Sequence, residues 1–408
     1  MEGVTRVSEE KTLLVVTVSG SDRPGILATF SRILLDHGVE VVEVQQASLK
    51  GYLGLYFLLD LSRASKEVDS VVKDLLYEAS RSNLNLQFRL SPQDLSEHKG
   101  PERLYVLTHF GGTRALAELS KILFEENMSI GTVSTFTHHG TRSMEMVVDA
   151  RGTSSVDRFK RRIMEKTREL NVGLGIQKME AYRKNKRLVF FDMDSTLIDM
   201  EVIDEMARRA GVHREVARVT EKAMRGEIDF EESLIQRVAL LKGLKVAELE
   251  KIRDSIPLNP GVKELVTTLK WLGYKLGIVT GGFDFFADHL KEKLGFDYGF
   301  SNKLEIKAHT LTGRVLGEIV DGARKARIVN QTACDLGIHL DQTVAVGDGA
   351  NDALMLAQTG LAIAYNGKRR LDRVVNVALG PTRMTDILHL LGITEEDIAD
   401  ALACKPSR

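Results

Sequence analysis

The run Leu188-Val189-Phe190-Phe191 has no polar position, and Asp192-Met193-Asp194-Ser195-Thr196 follows it directly. A strand with one wet face alternates polar and apolar residues. A strand without that alternation is covered on both faces, as in a parallel sheet flanked by helices. Two carboxylates one residue apart then stand at the carboxyl end of the strand, where open α/β sheets bind their ligands. A DxD pair can also be turn chemistry or a helix cap. Crowded at the rim of a core, however, such carboxylates repel, and a cation or a shared proton offsets the repulsion.

Two further apolar runs deliver polar groups in the same way. Lys275 to Val279 leads into Thr280-Gly281-Gly282, a hydroxyl plus flexible amides suited to phosphate oxygens. Thr343-Val344-Ala345-Val346 leads into Gly347-Asp348-Gly349-Ala350-Asn351-Asp352, with a helix predicted from about Ala353. Helical patterns around Lys263 to Leu272 and Arg324 to Leu336 separate these strands, which predicts a doubly wound α/β sheet over 186–408. Residues 199–256 carry amphipathic spacing, as in Ser233-Leu234-Ile235 to Val238-Ala239-Leu240-Leu241, and no strand signal, so they read as a helical cap inserted after the first strand.

The first 180 residues repeat once. Ser31 to Val39 aligns with Ser120 to Met128, a spacing of 89 positions, each an amphipathic helix ending in a turn. A β-rich run precedes each helix, two strand-like runs follow it, and a second helix and strand close each copy. That is βαββαβ twice, a ferredoxin-like sandwich over 10–91 and again over 101–180. A polar stretch containing Pro92 and Pro101 separates the copies as a linker.

A chain of 408 residues has room for two or three such domains. Its formal charge of -1 lacks the basic excess of a dedicated nucleic-acid binder. The two cysteines, Cys334 and Cys404, cannot build a disulfide framework, no apolar run is long enough to span a membrane, and MEGVTRVSEEK has no apolar signal core. The expectation is a cytoplasmic protein without nucleic-acid or membrane partners. Cys334 falls in a helical apolar pattern and is expected in the core, Arg158-Phe159-Lys160-Arg161-Arg162 reads as a solvated basic face, and His138-His139 as a hairpin turn.

The set DMDST, VTGG, a later lysine and GDGAND resembles the motifs of the haloacid dehalogenase (HAD) superfamily of phosphohydrolases, over about Leu188 to Leu391. Asp199-Met200-Glu201-Val202-Ile203-Asp204-Glu205, Ala223-Met224-Arg225-Gly226 and Asp229-Phe230-Glu231-Glu232-Ser233 through Val238 are similar to its phosphoserine phosphatase branch. The loop Ser21-Asp22-Arg23-Pro24-Gly25-Ile26 resembles that of ACT domains, small modules that bind amino acids. Together these imply an α/β protein with a Rossmann-like HAD core and inserted cap, preceded by two ferredoxin-like ACT domains.

The resemblance further implies hydrolysis of O-phospho-L-serine, the last step of serine biosynthesis. Asp192 would be the nucleophile that becomes an aspartyl phosphate, and Asp194 the acid and base. Lys325, rather than its neighbours Arg324 and Arg327, would neutralise the phosphate. Mg²⁺ would be held by the carboxylates of Asp192 and Asp348 and the backbone carbonyl of Asp194, since hard oxygen ligands favour it over zinc. Thr280, Gly281, Gly282 and Asn351 would contact phosphate, with Asp352 orienting Lys325. In the cap, Arg237 would bind the substrate carboxylate and Glu201 its ammonium, while Met224 and Phe230 close over it. Asp229 with Glu232 reads as the start of the helix carrying Phe230 and Arg237. Asp22, Arg23 and Gly25 would hold an amino-acid effector, serine being the expected one, and the ACT pair implies a homodimer or higher oligomer. The second copy has Gly111-Gly112-Thr113-Arg114 at the same place, without the Asp-Arg-Pro-Gly pattern. A phosphotransferase acting on an acceptor alcohol such as homoserine, and a non-enzymatic amino-acid sensor, are the rival readings.

Overall fold

The computed structural model describes residues 13–62, 64, 68–91, 103–138, 141–367, 371, 374–380 and 382–404. They fall into two compact units divided at residue 101. The linker prolines Pro92 and Pro101, and His139, lie outside the described residues.

The first unit runs β1 (Leu13–Ser21), α1 (Ile26–Asp36), β2 (Glu40–Leu49), β3 (Tyr52–Asp60), α2 (Val68–Arg81) and β4 (Asn85–Ser91), in the βαββαβ order expected. Its antiparallel sheet has the order β2-β3-β1-β4. Alternation decides which face is covered. Leu14, Val16 and Val18 on β1 meet Leu55, Phe57 and Leu59 on β3 and Phe30, Leu34 and Leu75 from the helices in one core. The edge strand β2 is exposed along its whole length, Val42 and Val44 included.

The second unit opens with β5 (Leu104–His109), α3 (Thr113–Glu125), β6 (Ser129–His138), β7 (Thr141–Asp149), α4 (Val156–Leu170) and β8 (Leu174–Lys178), the same order again. It continues with β9 (Leu188–Phe191), then α5 (Val202–Ala210), α6 (His213–Met224), α7 (Phe230–Leu240) and α8 (Val246–Asp254), the expected all-helical insertion. Then follow α9 (Val262–Trp271), β10 (Lys275–Phe283), α10 (Asp284–Leu294), β11 (Tyr298–Lys307), β12 (Thr310–Leu316), α11 (Gly322–Asp335), β13 (Thr343–Gly347), α12 (Ala353–Gln358), β14 (Leu361–Tyr365), β15 (Val377–Leu379), α13 (Asp386–Leu390) and α14 (Glu395–Ala403).

Strands β11, β10, β9, β13, β14 and β15 are parallel neighbours, with β9 at the centre wholly buried. The all-apolar run therefore folds as its composition requires. The cap leaves and re-enters next to β9, where Ile198 bridges Leu258 and the Asp199 amide bonds the Pro257 carbonyl at 3.0 Å.

Three expectations are corrected. The second repeat is not separated from the α/β core. Strand β8 pairs antiparallel with β15, joining both into one sheet of eleven strands. Short strands with unpaired edges gain ladder bonds this way, a pairing between segments some 200 positions apart that local pattern does not encode. Cys334 is exposed on α11, because the buried stripe of that helix is Lys325, Val329, Thr332 and Ala333. The basic run on α4 is not simply solvated. Phe159 is in the core, and Arg158 and Arg162 bond the buried carboxylate of Glu126 at 2.7 Å each.

Candidate active site

Asp192 and Asp194 leave β9 in a tight loop closed by the amides of Thr196, Leu197 and Ile198, which donate to the Met193 carbonyl at 3.3, 2.9 and 3.1 Å. Ser195 within it has φ 57°, in the left-handed region that non-glycine residues seldom occupy. Its hydroxyl donates to Glu201 Oε1 at 2.9 Å, so the loop also orients the cap's first carboxylate. Asn259 braces the loop from behind. Its side chain donates to the Thr196 carbonyl at 2.8 Å and its amide to the Leu197 carbonyl at 3.0 Å.

Lys325 comes to this loop from the second turn of α11. It is fully buried, with Nζ 2.9 Å from Asp192 Oδ1 and 2.7 Å from Asp352 Oδ1. Burial works against its charge, but the two carboxylates outweigh burial and hold its pKa above the usual lysine range. The Met193 amide also donates to Asp192 Oδ1, at 2.8 Å. Burial and the charge of Asp192 push the Asp352 carboxyl up, against the pull of Lys325. Burial, and then the charges of Glu201 and Asp192, push the Asp194 carboxyl well above its ordinary value. Its Oδ1 accepts from the Val202 amide at 3.1 Å, at the start of the cap.

Carboxylate oxygens of Asp192, Asp348 and Asp352 lie within 4.8 Å of one another. Lys325 and the Gly349 amide, at 3.1 Å, already hold Asp352. A cluster made only of carboxylate oxygens fits a hard divalent ion such as Mg²⁺.

The Thr280–Gly282 segment borders the same centre. A Cβ built on Gly282 would lie 2.8 Å from Asp194 Oδ2 and 2.7 Å from Met193 Cε, and one on Gly281 would lie 2.8 Å from Phe230 Cζ. Only glycine lets this backbone approach both the aspartate loop and the cap so closely. The buried Thr280 hydroxyl accepts from the Gly282 amide at 2.9 Å. Asn351 sits in the 3₁₀ turn Ala350–Asp352. Its carbonyl would be 2.8 Å from a Cβ on Gly322, against the first turn of α11. The amine of Lys325 is bonded by Asp352.

In the cap, Asp229 caps α7, accepting from the Glu232 amide at 2.7 Å. Arg237 is half-buried, its Nε donating to the Ser233 carbonyl at 3.3 Å. Burial lowers its pKa, opposed by the nearby charges of Asp204, Glu201 and Asp194. The structure thus brings Arg237, Glu201, Phe230 and Asp194 around the aspartate loop and the Gly281–Gly282 backbone. Met224 ends α6, a helix that buries only Val216, and is 66% exposed. Asn259, Asn302 and the backbone of Ser195 were missed at the sequence level. An asparagine inside the strand-like run Tyr298 to Leu304 was the readable signal for one of them.

In the first unit, Asp22, Arg23 and Gly25 line a cavity of about 830 Å³ with Gln46, Ser48 and Gly51. Ser48 Oγ donates to Asp22 Oδ2 at 2.6 Å, and Gly25 takes φ 97° to begin α1. In the second repeat, a Cβ on Gly111 would meet Ala115 and Val172 at 2.7 and 2.9 Å, so that glycine serves close packing.

An aspartate pair at the central strand's end, a buried lysine bridging two aspartates, and an inserted helical cap define a HAD-type hydrolase core. The haloacid dehalogenase-like hydrolase family matches residues 186–360, and the ACT domain family matches residues 12–89. A phosphoserine phosphatase of Streptomyces coelicolor is 36% identical over 405 residues, covering 98% of this chain and 97% of that one. One of Archaeoglobus fulgidus is 46% identical over 254 residues, covering 62% and 74%. The crystal structure of a probable phosphoserine phosphatase from Vibrio cholerae, in unliganded form, is similar with a TM-score of 0.56 and 34% identity, covering 74% of this chain and 88% of that one. The chain belongs to the phosphoserine phosphatase family of HAD hydrolases and carries an ACT domain at its N-terminal end.

Proposed function

We propose that the chain hydrolyses O-phospho-L-serine to L-serine and phosphate. The observation that carries this reading is the buried bridge from Lys325 to Asp192 and Asp352 beside Asp194 and Asp348. A carboxylate of Asp192 attacks phosphorus while the ester bond breaks, and Asp194, whose raised pKa suits an acid, protonates the departing serine alkoxide. Asp194 then takes a proton from water, which attacks the aspartyl phosphate and releases phosphate and Asp192. Lys325 supplies fixed positive charge next to the nucleophile, and the Thr280–Gly282 segment borders the phosphoryl oxygens. Asp192, Asp348 and the backbone carbonyl of Asp194 would hold Mg²⁺, which when bound supplies positive charge to the phosphoryl group.

A zwitterionic substrate needs one partner of each sign, and Arg237 with Glu201 provides them. Phe230 covers the cleft. Met224, exposed in this structure, would cover the substrate when the cap closes over it. The cavity at Asp22, Arg23 and Gly25 supports binding of an amino acid, with serine, the product, as the effector. The second repeat shares the fold, and we read it as a second ACT domain without that ligand loop. The exposed apolar edge of β2 supports self-association into a homodimer or larger oligomer. Among the described residues no helix is long and apolar enough to cross a membrane.

The test is phosphate release from a panel of phosphorylated metabolites, with and without Mg²⁺ and free serine. Selective, Mg²⁺-dependent release from phosphoserine, inhibited by serine, is expected. Release unchanged in Asp192→Asn, or transfer of the phosphoryl group to an added alcohol in preference to water, would overturn the reading.

A further inference from the structure

We infer that Asn302 is the positioning residue that locks the Thr280–Gly282 loop to the helix carrying Lys325. The inference rests on the reading of that loop as the phosphate-binding segment.

Strands β10 and β11 pair in regular parallel register through Gly277 with Tyr298, Ile278 with Gly299 and Val279 with Phe300. The next matched pair is Phe283 with Asn302. Thr280, Gly281 and Gly282 therefore stand opposite the single residue Ser301, bulged out of the ladder towards Asp194 and Phe230. A bulge frees the loop to reach the site, but it also removes the ladder bonds that would hold it in place.

The side chain of Asn302 replaces them. Its Nδ2 donates to the Gly281 carbonyl at 2.8 Å, and its Oδ1 accepts from the Val320 amide at 2.8 Å. Val320 directly precedes Asp321, the N-cap of α11, whose side chain accepts from the Arg324 amide at 2.7 Å and whose carbonyl accepts from the Lys325 amide at 2.9 Å. One amide thus spans the loop facing phosphate and the start of the helix that delivers the phosphate-side cation. The two backbones run side by side here, since a Cβ on Gly281 would lie 3.6 Å from the Val320 carbonyl. Asn302 is 1% exposed. A buried strand position favours an apolar, branched side chain, and an amide there is costly unless both ends are bonded. Both ends are bonded, each to a backbone group of a different functional segment, and neither bond is one that strand pairing needs.

The geometry carries a selective consequence. Both bonds of Asn302 go to the segments read as facing phosphate. Asp192 and Asp348, the cation donors, are placed by β9 and β13. Loosening Asn302 should weaken phosphate recognition and turnover while leaving the response to Mg²⁺ intact.

The experiment compares Asn302→Leu, which keeps the branched shape without the bonds, and Asn302→Asp, which keeps the acceptor for Val320 but sets a carboxylate against the Gly281 carbonyl, with the wild-type full-length chain. All are assayed well below each variant's unfolding temperature. In both variants kcat is expected to fall about 100-fold and the inhibition constant of inorganic phosphate to rise about 10-fold, with the Mg²⁺ concentration for half-activation within twofold of wild type. Wild-type kinetics in folded Asn302→Leu, or parallel loss of phosphate and Mg²⁺ response, would overturn the inference. Hydrogen exchange on the wild-type chain provides a readout that needs no variant. The Val320 amide should exchange only on global unfolding, and exchange at the rate of surface loops would equally overturn it. An inactive wild-type chain would instead remove the phosphatase reading itself.

Discussion

The side-chain amide of Gln177 on β8 donates to the carbonyl of Leu390 on α13 at 3.0 Å, across 213 positions of sequence. The bond lies in the seam where the second βαββαβ repeat meets the α/β core. Around it β8 pairs with β15, the Ile176 amide bonds the Asn376 carbonyl at 2.8 Å, and a Cβ on Gly175 would lie 2.6 Å from Leu390 Cδ2. The repeat is thereby part of the body that holds the loops after β9, β10 and β13.

Truncation separates the two repeats. Removing residues 1–101 should leave the unfolding temperature and kcat of the remainder unchanged, because the division between compact units falls there. Removing 1–182 strips the partner strand from β15 and should lower the unfolding temperature by more than about 5 °C. Gln177→Ala alone should cost about 1–3 kcal/mol by leaving the Leu390 carbonyl unbonded, read by urea denaturation.

The glycines of the Thr280–Gly282 loop should fail differently. In Gly282→Ala the new methyl meets Asp194 Oδ2, so kcat should fall about 100-fold with little change in KM. In Gly281→Ala it meets the end of the Phe230 ring, which can swing aside. There KM for phosphoserine should rise by about tenfold and kcat change less. Steady-state kinetics on the two variants would reveal equal effects if the loop does not divide its contacts this way.

Lys325→Ala should abolish turnover and also destabilise the fold by about 3–5 kcal/mol, since it leaves Asp192 and Asp352 buried without their cation. Added Mg²⁺ should raise the unfolding temperature of this variant more than that of wild type, because a bound divalent ion supplies part of the missing charge. Calorimetry with and without Mg²⁺ checks both parts.

Lys186 sets a pH dependence away from the active site. Burial pushes its amine down to about 8, and the amine donates to the Asp341 carbonyl. The folded-state value lies below the unfolded one, near 10.4, so between these pH values the unfolded chain holds more protons. Stability should therefore rise as pH increases from about 8 to 10.4, by at most about 3 kcal/mol from this group. The rise should be missing from the stability curve of Lys186→Met, measured by urea denaturation across that range.

The local elements were readable because each was overdetermined. The run Leu188 to Phe191 has no polar side, the repeat helices carry apolar stripes, and Asp229 marks the start of α7 by its capping geometry. The choice of Lys325 over Arg324 and Arg327 came from resemblance, yet helical phase contains it. Lys325 shares its stripe with Val329, Thr332 and Ala333, while Arg324 and Arg327 pair with Glu318. The same phase places Cys334 outside the core. Met224 was the opposite case. A methionine at the end of an amphipathic helix satisfies the pattern of a buried lid, and only packing showed its exposure.

Sequence alone determined which strands end in aspartate or glycine, that a helical insertion follows the first of them, and that βαββαβ occurs twice, since these depend on periodicity and on residues adjacent in the chain. Tertiary structure decided that β8 and β15 share a ladder, that Asn302 ties Gly281 to Val320, and that Lys325 lies between Asp192 and Asp352. Those relations join segments tens to hundreds of positions apart. The need of each buried polar group for a partner is local, but which partner it finds is settled only when the chain closes on itself.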